Sequence, residues 1–227
     1  MSREIGDKWG ISRSLSILGL VAYFNEDCAT ARVMLEESLA ISQEIADRRG
    51  IAWSLYIWGL VAREQREHAR ARSLTEQGLA IQKELGDRRY IAYSLDALGA
   101  LATDEGDYAT ARTLHQQALS IFLELGERFG IFATLWFIAA MLAAEGKFER
   151  SLRLFGAVMA MRQSAGASQA FPPLIETKTQ QVLQAAQQAL GEAACMAALA
   201  EGQAMSAQQA IAYALEDTVA GSTISVS

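Results

Sequence analysis

The sequence predicts an all-α protein: a right-handed superhelical solenoid of helix-turn-helix repeats, finished by a C-terminal helical cap. Three observations carry this. A short block returns every 40 positions, as Gly6-Asp7-Lys8-Trp9-Gly10-Ile11, Ala46-Asp47-Arg48-Arg49-Gly50-Ile51, Gly86-Asp87-Arg88-Arg89-Tyr90-Ile91 and Gly126-Glu127-Arg128-Phe129-Gly130-Ile131. Such a period marks one supersecondary unit stacked on copies of itself. Gly19, Gly59 and Gly99 then recur in register with Ala31, Ala71 and Ala111. Finally, the only prolines, Pro172 and Pro173, stand together and break the chain once.

Taken in order, Arg3-Glu4-Ile5-Gly6-Asp7 matches Lys83-Glu84-Leu85-Gly86-Asp87, the end of one helix and the following turn. Residues 1–7 are therefore expected to be the stub of an earlier repeat, making the chain a fragment or natural stub of a longer array. A repeat without a polar cap leaves a face bare, so self-association or burial against a neighbour is expected at the N-terminal face. Repeats follow at about 6–45, 46–85, 86–125 and 126–165. In the third, Gly86 suits a helix C′ position and Asp87 the next N-cap. Ile91, Leu95, Leu98 and Ala102 then form one face of a helix. Glu105-Gly106-Asp107 turns the chain, and Ala111, Leu114, Ala118, Leu119 and Phe122 supply the apolar face of a second helix. Leu15/Leu18/Ala22 with Ala31/Leu35/Leu39, and Leu55/Trp58/Ala62 with Ala71/Leu74/Leu79, repeat the design. A mid-helix glycine costs about 1 kcal/mol relative to alanine, so three equivalent ones point to close helix–helix contact.

After Ala165 the period fails. Residues 166–173 read as a linker, 174–216 as capping helices (about 174–190, 192–202 and 206–216) packed on the array, and 217–227 as a flexible tail. The segment 129–144 is apolar on nearly every face, including Ala133, Trp136, Ala140 and Ala144. A helix apolar all round is buried, so the cap is expected to cover part of it.

The pairs Leu18-Gly19, Trp58-Gly59 and Leu98-Gly99, each with a small residue three on and alanine twelve after the glycine, resemble the tetratricopeptide repeat. Ile138-Ala139 and Ser151 fit the pattern more loosely, and Phe155 sits where the family favours phenylalanine. HEAT and armadillo repeats share the period, but the glycine–alanine pairing favours the tetratricopeptide reading, in a long-helix form covering residues 6–165. The ending, with Leu190-Gly191-Glu192-Ala193-Ala194, Ala200-Glu201-Gly202-Gln203-Ala204-Met205-Ser206 and Gln209-Ala210-Ile211-Ala212-Tyr213-Ala214-Leu215, is similar to the close of the repeat arm in bacterial LuxR-type regulators and signal-transduction ATPases. That resemblance implies the sensor arm alone. The chain has neither a G-x-x-x-x-G-K-[ST] loop nor a convincing DNA-binding helix-turn-helix.

The composition points away from several function classes. A net charge of −6 disfavours nucleic acid as a direct partner. Cys28 and Cys195 lie far apart and read as reduced thiols of a cytoplasmic protein. The N-terminus lacks the apolar core of a signal peptide. The longest uncharged run, Phe129–Ala144, falls short of the ~20 residues of a membrane span. His68 and His115 are the only histidines. They occupy non-equivalent repeat positions without metal or nucleophile spacing and read as surface or groove residues. No enzyme, cofactor or metal is expected.

Binding is the expected role. First helices of such a stack line the concave side, and positions six before, three before and four after each glycine face inward. They are Arg13, Ser16 and Tyr23; Trp53, Tyr56 and Arg63; Tyr93, Asp96 and Thr103; Ala133, Trp136 and Ala143. Aromatic at its centre with a few charges, this set suits a protein or peptide segment, or a small effector. Tetratricopeptide domains that clamp a carboxylate terminus use asparagine and basic residues where Ile17, Ile57, Ala97 and Phe137 stand, which disfavours that ligand. Lys8, Arg48-Arg49, Arg88-Arg89 and Arg128 form a basic ridge, expected to pair with Glu44, Glu84 and Glu124.

Overall fold

The computed structural model describes residues 2–164 and 172–216, with side chains from Asp7 onward. Residues 166–171 of the expected linker and the expected tail at 217–227 lie outside the described residues. Eleven helices account for most of the rest: α1 (Ser2–Phe24), α2 (Cys28–Glu44), α3 (Arg48–Glu64), α4 (His68–Glu84), α5 (Arg88–Asp104), α6 (Tyr108–Leu125), α7 (Arg128–Ala144), α8 (Phe148–Ser164), α9 (Pro173–Leu190), α10 (Glu192–Gln203) and α11 (Ala207–Leu215).

One turn, repeated every 20 residues, makes the first eight helices into a stack. Glu26, Ala46, Arg66, Gly86, Gly106, Gly126 and Gly146 all adopt positive φ, between 56° and 84°. At each turn the chain folds back on the helix it has just left. Asp47 N–H donates to the Ser42 carbonyl at 2.8 Å and Ala46 N–H to that of Gln43 at 3.1 Å. This satisfies carbonyls that a helix end otherwise leaves orphaned. The next helix is then started by a carboxylate: Asp27, Asp87, Asp107 and Glu127 accept from the N–H of Thr30, Tyr90, Thr110 and Gly130.

The stub expected at residues 1–7 is corrected at one point. Instead of turning at Gly6-Asp7, α1 runs unbroken from Ser2 to Phe24. A turn of this kind is held by bonds back to a preceding helix. This segment satisfies its backbone by continuing the helical ladder.

Helices joined by such short turns pack as antiparallel pairs: α1 with α2, α3 with α4, α5 with α6, α7 with α8. The odd-numbered helices also touch one another, α1 with α3, α3 with α5 and α5 with α7, so they lie on the inner, tighter radius. The recurrent glycines bring each pair together. A Cβ on Gly19 would lie 2.9 Å from Leu35 Cγ, one on Gly99 would lie 2.7 Å from His115 Cε1, and one on Gly59 would overlap Thr75. Opposite them, Ala31, Ala71 and Ala111 are buried. Along one edge run the expected ion pairs, Lys8–Glu44, Arg48–Glu84 and Arg88–Glu124.

The last three helices close the stack. α10 lies against α8 through Gly156 and Gly202, each without room for a Cβ beside the other helix's backbone. α11 begins at a capping box of Ser206 and Gln209 and packs on α7 and α8. The third, α9, crosses to the inner face.

Candidate functional site

α9 spans the inner face from the fourth hairpin to the first. Leu174, in its first turn, is buried with Tyr23, Leu60 and Ala97. Thr177 donates to Glu26 at 2.6 Å, Lys178 pairs with Glu64 at 3.0 Å, and Trp136 Nε1 donates to Thr179 Oγ1 at 3.1 Å. The apolar residues Leu174, Ile175 and Val182 place this face of α9 down on the array. Beneath it lies a cavity of about 170 Å³, walled mainly by Tyr23, Tyr56, Tyr93, Trp136 and Phe137.

The inward positions expected from the sequence separate into three groups. Tyr23, Tyr56, Arg63, Tyr93, Asp96, Ala133 and Trp136 border this cavity. Arg13 and Trp53 lie elsewhere, Arg13 exposed with its guanidinium 5.3 Å from the Trp9 ring. Ser16, Thr103 and Ala143 do not reach the cavity. Ser16 and Thr103 turn their hydroxyls back onto Arg13 and Gly99 carbonyls, and Ala143 is buried.

Trp53 belongs to an aromatic shelf beside the cavity. Its ring stacks on Tyr56 at 5.4 Å and meets Tyr90 at 4.9 Å, while Tyr93 bridges to Tyr56 at 6.3 Å and to Phe122 at 4.8 Å. Arg89 lies over Tyr90 and Tyr93, and Tyr93 donates to Glu127 at 3.1 Å. α9 meets α3 near its end, at Glu64. Trp53 lies 11 residues earlier, about 16 Å along the helix axis. The shelf therefore stays half-open to solvent while the other end of the inner face is roofed.

Charge at the roofed end is carefully partnered. Arg63 makes a two-pronged bond to Asp104, at 2.6 and 3.0 Å; burial opposes the charge on its guanidinium, and Asp104 outweighs that and holds it charged. Asp96 does not offer a free groove carboxylate, as the sequence suggested. It is 1 % exposed, facing His115 Nδ1 at 2.8 Å and the Thr134 hydroxyl at 2.5 Å. Burial pushes its carboxyl above the ordinary range, and the bond from His115 opposes that. His115 is likewise no surface or groove residue. It is wholly buried, stacked on Phe137 at 5.7 Å, and its Nε2 has no hydrogen-bond partner. With Nδ1 donating to Asp96 and the Thr134 hydroxyl turned to Asp96 rather than to the imidazole, this His–Asp–Thr cluster stands as a buried structural network.

Two overlapping segments, residues 10–84 and 51–124, match the family model for the tetratricopeptide repeat. The chain belongs to the tetratricopeptide repeat family. The two matches together reach half of the chain, across the first three helical hairpins. A search of curated proteins gave no match. Tetratricopeptide repeats generally mediate protein–protein interaction, which makes this array a binding scaffold with protein partners. Among the described residues no helix is long and apolar enough to cross a membrane, and no group of three or more His, Cys, Asp or Glu is placed to hold a metal ion.

Aligning the tetratricopeptide repeats with one another shows where the buried polar cluster was visible. Asp96 stands where the other repeats have Ser16, Tyr56 and Trp136; His115 stands where they have Leu35, Thr75 and Phe155. Two facing positions of one repeat turn ionisable together, and that coincidence is the signal. Nothing comparable marks the path of α9, whose apolar stripe fits any apolar surface.

Proposed function

We propose that this tetratricopeptide array is the sensor arm of a bacterial signalling or transcriptional regulator, and that it binds a partner's protein segment on its inner face. The observation that carries the binding surface is the half-open shelf of Trp53, Tyr56, Tyr90 and Tyr93. Large rings held by one another bury much area on binding at little entropy cost, and such residues dominate interface energetics. Arg89 lies over Tyr90 and Tyr93 and favours a segment carrying acidic side chains. The regulator context rests on the likeness of the 190–215 ending, and an in-frame phosphate-binding module encoded upstream of Met1 would support it. The shelf is tested by selecting peptides from a random display library. Peptides chosen by the wild type should lose binding to Trp53→Ala/Tyr90→Ala while circular dichroism stays unchanged. Peptides indifferent to that variant would exclude the shelf.

A second reading, self-association through the N-terminal face, is favoured by one specific contrast. Val21 is 50 % exposed, whereas its repeat equivalents Val61, Leu101 and Met141 are buried. Ile17 and Leu18 are exposed beside it. Because α10 and α11 cover the other end, two copies would meet face to face rather than in a row. Sedimentation across a range of concentrations tests this; a strict monomer at all of them removes it.

A further inference from the structure

The cavity beneath α9 adjoins the shelf and shares Tyr56 and Tyr93 with it, but Trp53 and Tyr90 lie outside it, and its size and sign restrict what it can hold. About 170 Å³ is close to the roughly 150 Å³ of an engineered apolar cavity that takes up benzene. One six-membered ring with a short side chain fills it. The wall supplies ring faces from Tyr56, Tyr93 and Trp136 to stack against such a ring.

The polar groups are not evenly divided between the two signs. Three cations border the cavity, Arg63, Lys178 and Arg162, against a single carboxylate, Asp96. Asp96 is already matched by His115 and Thr134. The acids paired with Arg63 and Lys178, Asp104 and Glu64, do not form part of the wall. Partial burial at the cavity edge lowers the pKa of Arg162. Tyr23 and Tyr56 add hydroxyls that burial holds protonated, as donors. Donors and positive charge thus surround an aromatic chamber whose one acceptor is occupied. An anion at this wall meets donors and the cationic ends of two ion pairs as well as Arg162, whereas a cation meets like charges first.

We propose that the cavity under α9 is a binding site for a small monocyclic aromatic carboxylate, ring between the tyrosines and Trp136, carboxylate towards Arg162 and Lys178. The site deepens the sensor reading and rests on it, since an acid held there contacts α9 and the inner helices together. It would couple an effector's presence to how firmly α9 is seated.

The test compares three probes of one shape by titration calorimetry on the full chain: phenylacetate, its neutral amide, and phenethylamine. Phenylacetate should bind at least tenfold more tightly than the amide, and the amine should not bind. Arg162→Gln should weaken phenylacetate about tenfold and abolish the preference over the amide. Ala133→Trp, which fills the chamber, should abolish binding of phenylacetate and of the amide, with circular dichroism confirming the fold. Equal affinity for acid and amide, tighter binding of the amine, an unchanged affinity in Arg162→Gln, or no binding of any probe overturns the proposal. Shelf-dependent peptide binding that survives while phenylacetate fails removes this site and leaves the sensor reading standing. Phenylacetate binding without any shelf-dependent peptide does the reverse.

Discussion

Removing the Asp96 carboxylate should unbalance the core more than removing the whole polar cluster. In Asp96→Ala, His115 Nδ1–H loses its 2.8 Å partner and Thr134 its 2.5 Å partner, all within a wholly buried site. His115 Nε2 already lacks a partner, so the ring would be left with two unsatisfied nitrogens. Stranding a buried donor costs about 1–3 kcal/mol, and breaking a buried charged pair from one side about 3–5 kcal/mol. Thr134 can recover part of its loss by bonding to its own helix, as Thr75 and Thr103 do. We therefore expect about 3–4 kcal/mol of destabilisation for the single variant. Asp96→Leu/His115→Leu behaves differently. Leu35 already occupies the position equivalent to His115 and packs on Gly19. Burial dominates the displacement of the Asp96 pKa, so the ionised carboxylate is costly where it stands. Replacing both partners by apolar groups should land within about 1–2 kcal/mol of the wild type. Urea unfolding followed by far-UV circular dichroism, completed as a double-mutant cycle with His115→Leu, measures the coupling. Simple additivity of the two single substitutions, or a loss under about 1 kcal/mol for Asp96→Ala, would refute the reasoning.

Four further outcomes are expected. Ala46→Gly should raise stability by about 0.5–1 kcal/mol, because Ala46 sits at φ 56°, where an L side chain is strained and the equivalent turns use Gly86 and Gly126; thermal unfolding reads this, and no gain would contradict it. Gly99→Ala should cost about 1–3 kcal/mol, its Cβ falling 2.7 Å from a His115 ring that cannot retreat past Phe137. Gly10→Ala, with open space around it, should instead stabilise by up to about 1 kcal/mol in the same assay. In Arg88→Ala the Glu124 carboxyl, held below 4.5 by the hydrogen bond and charge of Arg88, should rise towards that value in an NMR titration. Its lowered pKa adds stability above about pH 4.5 that is lost as the pH falls through the folded-state value, and the variant should lack that contribution.

The repeat architecture was legible because each turn is built from residues within one short window. Gly86-Asp87 specifies its own left-handed residue and N-cap wherever it stands, and Lys8–Glu44 follows from the period once helix lengths are fixed. The same local logic failed at Gly6-Asp7, where the motif continues a helix instead of turning. Inward-facing positions were partly legible. Seven of the twelve border the cavity, since counting from a glycine sets direction around a helix. Counting cannot say which of those side chains finds a partner first: Thr103 bonds to its own backbone, Arg63 to Asp104, Asp96 to His115. Least legible was α9. Amphipathicity says that Leu174, Ile175 and Val182 share a face, but the surface that receives them is assembled from four distant repeats.

The bond from Thr177 to Glu26 joins residues 151 apart in sequence. An open repeat stack behaves as a spring: each hairpin answers only to its neighbours, and the ends can fray or flex alone. Anchored at Glu26 and at Trp136, α9 acts as a strut across the mouth of that spring and sets its curvature. Stretching the array then means breaking those anchors, so its stiffness is written in a few side chains rather than spread over every layer. The strut also has a place in time. Closing so long a loop is slow compared with forming local hairpins, so the repeats assemble before α9 locks them, and α9 is the element that comes away first.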